Sequence, residues 1–403
     1  MTAADTLPTD VATDDARVRA LCDDLLAEHP PAATEPTAFL GAQFDRGLAW
    51  VHFPEGHGGL GLSPKLQKVV NERLGRAGAP RAAGLNPIGH GMGAPTIVTH
   101  GSDEQKRRYL RPLFTNEEIW CQLFSEPGAG SDVAGLSTRA VRDGEEWVVN
   151  GQKVWTTLAH VARWGMLVAR TDPEAPKHKG LTYFVVDMHG PGVEVRPLFQ
   201  ITGEAEFNEV YFTDARIPDA ERLGEVGEGW RVSLTTLMNE RVAIGGQIPP
   251  RGSGFIGELM KVYARTGPHG AAVRDEVMKL WIRAEVLRLT NIRASQLRAQ
   301  GTPGPEGSIG KLAMAELHKE LSSCAVDLLG AEGMLFPAGY PMSRPQTTAL
   351  WASAPQAFLR SRANSIEGGT TEIMKNILGE RVLGLPGDIR VDKDLPWHQV
   401  PRS

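Results

Sequence analysis

Two carboxylates stand where proton-transfer chemistry would place one. Glu367, in SIEGGTTEIMKN (residues 365–376), directly precedes two glycines and two threonines at what reads as the entrance to a helix. An acid before a flexible turn with exposed main chain is one way to present a general base. Glu240, in TTLMNERVAIGG, has Thr236, Leu237, Ala243 and Ile244 as its i−4, i−3, i+3 and i+4 neighbours, so its helix face is mostly apolar. Desolvation there raises a carboxyl pKa and makes a stronger base. A structural ion pair with an arginine explains the same residue without chemistry.

FSEPGAGSD, Phe124 to Asp132, combines Pro127, two glycines and Ser131 in a turn that exposes main-chain N–H groups, with Ser125 and Ser131 as further donors. Such a turn can hold a phosphate or the edge of a flavin. A plain surface turn between two elements fits it too. VWTTLAH, Val154 to His160, offers an aromatic and two hydroxyls, and by itself reads as a strand rich in β-branched residues. GHGGLG, Gly56 to Gly61, matches GxGxxG, but WVHFPE before it is broken by Pro54 and no second strand follows. The βαβ context of a dinucleotide fold is missing, and that reading is rejected. No spacing suggests a nucleophilic triad or a metal site.

These residues must be positioned by three kinds of segment. Up to about residue 115 the apolar period is helical, in ARVRALCDDLLAEH, SPKLQKVVNERLGRAG with its Ser63-Pro64 start, and SDEQKRRYLRPLF opening on Ser102. From Ile119 the period shortens to that of strands. EEWVVNGQKVWTT carries Asn150-Gly151 between two strand-like runs, which predicts a hairpin turn there, and LTYFVVDM, GVEVRPLF and EFNEVYF follow. After Trp230 long amphipathic helices return, one of them behind the turn GTPGPEG, and they read as an antiparallel bundle. The expected class is α+β, with an N-terminal helical domain over 1–117, a central β-barrel-like domain over 118–228, a C-terminal four-helix bundle over 229–386 and a tail over 387–403.

A chain of 403 residues can bury a sizeable core. Its 41% apolar and 23% charged residues and net charge of −5 show no basic bias, which argues against nucleic acid or a membrane surface as partner. Cys22, Cys121 and Cys324 are odd in number and widely spaced, as expected of a reduced, cytoplasmic protein. The acidic N-terminus lacks the features of a signal peptide, and no apolar run reaches the ~18 residues of a membrane span.

Taken together, PEGHGGLG, EPGAGSD, NGQKVWTT, NERVAIGG and EGGTTEIMKNILGERVLGLP resemble, in order and spacing, the acyl-CoA dehydrogenase family. The resemblance implies FAD and a desaturation α,β to a thioester, with electrons passed to an electron-transfer flavoprotein. A carboxylate takes the α-proton while hydride leaves the β-carbon for the flavin, and a main-chain N–H polarises the thioester carbonyl. Carried over by motif, Gln122, Leu123, Phe124, Ser125, Gly130 and Ser131 line the flavin, Ser131 also reaching substrate. Trp155 covers the isoalloxazine with Thr156 and Thr157 beside it, and Thr370 and Glu372 touch FAD. Gly368 and Gly369 face the substrate.

In one branch of the family the base stands immediately before the Gly-Thr pair. Here that position is Gly368, and Glu367 is one residue too early, a displacement of about 3.5 Å. In the branch that includes long-chain and isovaleryl-CoA dehydrogenases the glutamate comes from an E-R pair on the first bundle helix, where Glu240-Arg241 stands. Glu240 is therefore the expected base, Glu367 the second choice, and the Gly368 N–H the carbonyl donor. The chain departs from the family at YARTGPHG: Arg265 is present, but the phenylalanine of the usual Arg-x-x-Phe-Gly is not. A homodimer or homotetramer is implied. A hetero-oligomer with a partial site, as in members from steroid-degrading actinobacteria, and a same-fold flavin oxidase or monooxygenase are the alternatives.

Overall fold

The computed structural model describes residues 11–246, 248–298, 306–336, 339, 341–347, 351–389 and 391–401. They form two compact units, one built on residues up to Trp120 with Ala162–Trp164, the other on Cys121–Val161 and Gly165 onward. The expected turn GTPGPEG lies mostly outside the described residues, as does the end of the helix before it.

The first unit holds five helices: α1 (Val11–Glu28), α2 (Pro36–Asp45), α3 (Gln67–Arg76), α4 (Ala94–His100) and α5 (Asp103–Phe114). Val18, Cys22 and Leu25 recur at helical spacing on α1 and bury against Phe39, Leu48, Val70 and Leu74. Ser102 and Gln105 form a reciprocal capping box at the start of α5. The GHGGLG segment is a turn with positive φ at Gly56, Gly58 and Gly61. A Cβ on Gly59 would lie 2.1 Å from the Phe53 carbonyl oxygen, so its glycines serve close packing.

The second unit joins a sheet to a set of helices. Its strands are β1 (Trp120–Leu123), β2 (Arg139–Asp143), β3 (Glu146–Thr157), β4 (Trp164–Arg170), β5 (Leu181–Asp187), β6 (Val193–Pro197), β7 (Phe207–Pro218) and β8 (Arg222–Leu223). The order is β6-β7-β3-β2-β4-β5-β8, with β1 paired to β4. Asn150-Gly151 does not make the expected hairpin. The turn falls at Gly144-Glu145, since Asp143 pairs with Glu146, and Gly144 takes φ +64°. Asn150-Gly151 instead makes a bulge inside β3: the register to β7 shifts there, and the Asn150 amide exchanges hydrogen bonds with Asp214. Gly151 is required because a Cβ would meet Thr138 Oγ1 at 2.3 Å.

The helices are α6 (Gly229–Gly245), α7 (Phe255–Thr266), α8 (Ala271–Arg298), α9 (Glu306–Leu329), α10 (Ala354–Arg360) and α11 (Thr371–Arg381). The other five all pack on α9, and Ile256, Leu259, Val277, Leu280, Leu317 and Leu321 fill the core among α7, α8 and α9. At one crossing the backbones of α6 and α9 touch: a Cβ on Gly245 would lie 2.6 Å from the Lys311 nitrogen, and one on Gly310 2.9 Å from the Gly245 carbonyl oxygen. Asn291 of α8 donates to that same carbonyl at 2.8 Å, which ties three helices together. Among the described residues no helix is long and apolar enough to cross a membrane.

Candidate active site

Glu240 lies on α6 just over one turn from this crossing. Its Oε2 accepts a hydrogen bond from Gln122 Nε2 of β1 at 3.3 Å, and among the described residues no cation comes within ion-pair distance. Burial pushes its carboxyl above the ordinary glutamate value, while the Gln122 bond and the charges of Arg241 and Lys311 pull it back. An acid raised by desolvation, with one polar contact and one oxygen free, is equipped to accept a proton.

The turn before α11 meets it. Gly368 has φ +64° and Gly369 φ +95°, conformations that cost a side-chain-bearing residue about 1 kcal/mol or more. A Cβ built on Gly368 would stand 2.8 Å from Ile244 Cδ1 and 3.6 Å from Glu240 Oε1, so this glycine abuts the carboxylate of α6. Among the described residues the Gly368 N–H finds no acceptor. Lys311, fully buried on α9, donates through Nζ to the Gly369 carbonyl oxygen. Burial pulls Lys311 below the ordinary lysine value, opposed by the charges of Glu367 and Glu240.

Glu367 is engaged by a different partner. Its two oxygens accept from the two terminal nitrogens of Arg360 at 3.2 and 3.0 Å, the fork geometry of a bidentate pair. Arg360 also lies 3.1 Å from Glu206, which starts the approach to β7. Thr370 caps α11, accepting from the Ile373 N–H at 3.2 Å, and Glu372 is exposed in its first turn.

EPGAGSD and NGQKVWTT run side by side. The Val154 N–H donates to the Ser125 carbonyl at 2.9 Å, and the buried Lys153 Nζ donates to the Phe124 carbonyl at 3.1 Å and to Glu126 Oε1 at 2.8 Å. Glu126 also accepts from the N–H groups of Ser137 and Thr138. Burial opposes its ionisation, but Lys153 and these bonds outweigh that and hold its carboxyl below the ordinary value. This pair anchors the turn, leaving Gly128, Gly130 and Ser131 exposed beyond it, with open space where a Cβ on either glycine would stand. Leu123 and Phe124 are buried beneath.

The β3–β7 register shifts again between Lys153 and Thr156, and this second bulge throws Trp155 outward. Trp155 sits at φ +60° and is 56% exposed, its ring edge-on to Phe207 at 5.8 Å. A large aromatic held exposed in a left-handed conformation stores about 1–3 kcal/mol of strain, the kind of outlier that marks a ligand platform. Thr156 is buried and its carbonyl accepts from Asn208, while Thr157 is half-buried at the end of the strand. A flat heteroaromatic group fits an exposed indole beside an open glycine turn.

Glu240 thus bonds Gln122 and lies next to Gly368, and Ser125 lies beside the strand that carries Trp155, whereas both oxygens of Glu367 are held by Arg360. The sequence motifs do not single out Lys311, Arg360 or Glu206. A signal existed for the first: Lys311 has Ser308, Met314 and Ala315 at i−3, i+3 and i+4, the same charge-on-an-apolar-face pattern as Glu240. In YARTGPHG, His269 stacks on Tyr263 with ring centroids 4.3 Å apart, and Arg265 is exposed, 3.5 Å from Glu332.

Three family models match the chain: acyl-CoA dehydrogenase N-terminal domain over residues 15–117, middle domain over 121–215 and C-terminal domain over 227–383. The acyl-CoA dehydrogenase IpdE1 of Mycobacterium tuberculosis is 38% identical over 347 residues, covering 85% of this chain and 86% of that protein. FadE34 of the same organism is 40% identical over 85% of this chain, which spans only 45% of FadE34. Among solved structures, the Tcur3481-Tcur3483 steroid ACAD superposes with a TM-score of 0.72 at 26% identity over 95% of this chain and 99% of that one. The ChsE4-ChsE5 complex from M. tuberculosis gives 0.70 at 28% identity over 96% and 100%. With its N-terminal helices, middle sheet and C-terminal helices each matched in order, the chain belongs to the acyl-CoA dehydrogenase family, whose members are oxidoreductases.

Proposed function

We propose that the protein is an FAD-dependent dehydrogenase that converts an acyl-CoA thioester to its 2-enoyl-CoA. The observation that carries this reading is the placing of the desolvated Glu240 carboxylate next to the Gly368 turn. Glu240 takes the α-proton onto a carboxylate oxygen. The Gly368 N–H donates to the thioester carbonyl as negative charge builds on it, assisted by the low dielectric around it. Trp155 provides an aromatic face for the cofactor, with Gln122 to Ser125, Gly130, Ser131, Thr156 and Thr157 around it and Thr370 and Glu372 at the start of α11. When bound, FAD supplies a hydride acceptor. The steroid ACAD among the similar structures supports a steroid-derived acyl-CoA as substrate, electron-transfer flavoprotein is the proposed acceptor, and buried free thiols agree with a reducing cytoplasmic setting.

Anaerobic titration of the purified protein with fatty and steroid-derived acyl-CoAs tests this, reading loss of the visible flavin bands. A flavin that no acyl-CoA bleaches would sink it. Reoxidation by electron-transfer flavoprotein far faster than by O2 separates a dehydrogenase from an oxidase. The pH dependence is signed: Glu240 must be ionised to act, and burial raises its pKa. The bleaching rate should therefore rise with pH through a group titrating above the ordinary glutamate range, and a limb at or below that range would contradict the assignment.

An oligomer is the proposed working form. Met278, Ile282, Val286 and Leu289 make one stripe on α8, 42–60% exposed, while the opposite face of α8 is buried in the core. A second copy of the chain covering this stripe would remove it from water. Ile282→Lys should then lower the sedimentation coefficient toward that of a monomer. A wild-type chain that sediments as a monomer alone would favour the hetero-oligomeric alternative, in line with the ChsE4-ChsE5 complex among the similar structures.

A further inference from the structure

Arg360 lies outside the group of residues that the proposed chemistry uses, yet it touches a neighbour of each half of it. On one side its fork holds Glu367, the residue immediately before Gly368. On the other its guanidinium carbon stands 5.5 Å from the centre of the Phe207 ring, and Phe207 is the ring against which Trp155 rests edge-on. Glu206, next to Phe207, supplies a second carboxylate at 3.1 Å. Arg360 and Glu206 are almost fully buried, so the arrangement is held in a low dielectric where a fork-shaped pair is directional. The Gly368 turn has few other restraints: its two glycines contribute no side chains, and after Glu367 its next fixed point is the Gly369 carbonyl under Lys311.

We infer that Arg360 is a positioning residue that sets the Gly368 N–H relative to Trp155, through Glu367 on the turn and through Phe207 on the sheet. The inference rests on the proposed role of Gly368 as donor to the thioester carbonyl. Without the clamp the turn rotates about its glycines and its N–H loses the direction of the carbonyl. The reacting carbon moves with it.

Two variants separate this role from plain stability. Glu367→Ala removes the clamp from the turn but leaves Arg360 paired with Glu206, and leaves the charge of Glu240 acting on Lys311. Arg360→Lys keeps the charge and loses the fork. Each is compared with wild type in binding two inert ligands, an acyl-CoA analogue that keeps the thioester carbonyl and a thioether analogue that lacks it. Wild type should prefer the carbonyl ligand, and in both variants that preference should fall about five- to tenfold, the loss of one hydrogen bond. FAD content should stay near wild type, and the limiting rate of flavin bleaching should fall about 10²-fold. If Glu367→Ala folds, holds FAD and keeps the wild-type ligand preference, Arg360 does not position the turn. If wild type itself shows no preference for the carbonyl, the donor role of Gly368 fails and this inference fails with it. If Arg360→Lys does not fold, Glu367→Ala alone decides.

Discussion

Glu240→Gln should keep its FAD and lose reduction of the flavin by acyl-CoA about 10²- to 10⁴-fold, whereas Glu367→Gln should stay within about tenfold of wild type. Glutamine is nearly isosteric and can still accept from Gln122, so the first variant removes the base and little else. Glu367 is differently engaged. Both its oxygens are taken by Arg360, and a glutamine there still offers one acceptor to the fork. Rapid mixing under anaerobic conditions reads both rates directly. Exchanged phenotypes would mean that the turn, rather than α6, supplies the base.

Gly368→Ala should lower the same rate about 10²-fold without unfolding the protein. The added methyl meets Ile244 Cδ1 at 2.8 Å, the mobile end of a side chain that can move aside, so the clash itself is survivable. The backbone has no such escape. At φ +64° a Cβ costs about 1–2 kcal/mol, and the cheapest relief is to rotate the peptide whose N–H is proposed to face the thioester. Thermal midpoints within a few degrees of wild type, together with the slowed bleaching, are the expected pair of results. An unchanged rate would remove Gly368 from the chemistry.

The helices were legible because their signals are local: the Ser102 capping box, the Ser63-Pro64 start and the 3.6 period of α1 each lie within one turn or two. The mostly apolar helix face around Glu240 was legible for the same reason, since its four neighbours are close in sequence, and its desolvation agrees with that face. Asn150-Gly151 forms a bulge and not a hairpin because turn chemistry at that pair suits either, and Asp214 and Thr138, outside the motif, decide between them. Gly144, with an ordinary turn sequence, took the hairpin. Lys153, Arg360 and Glu206 were hidden by their type, because a charged residue in a strand or at a helix end reads as solvated until its partner is known. The Glu126–Lys153 pair gives the acid of EPGAGSD a structural task that motif order alone does not reveal.

The contact of Gly245 with Gly310 makes the α6–α9 crossing a fulcrum. Glu240 is five residues from it along α6, an arm of about 7.5 Å. A tilt of about 10° about that pivot would carry the base by only about 1.3 Å, whereas the far end of the same helix would swing several times as far. Short leverage makes the carboxylate tolerant of changes at the start of α6 and sensitive to any side chain placed at the pivot, where even a methyl group has nowhere to go.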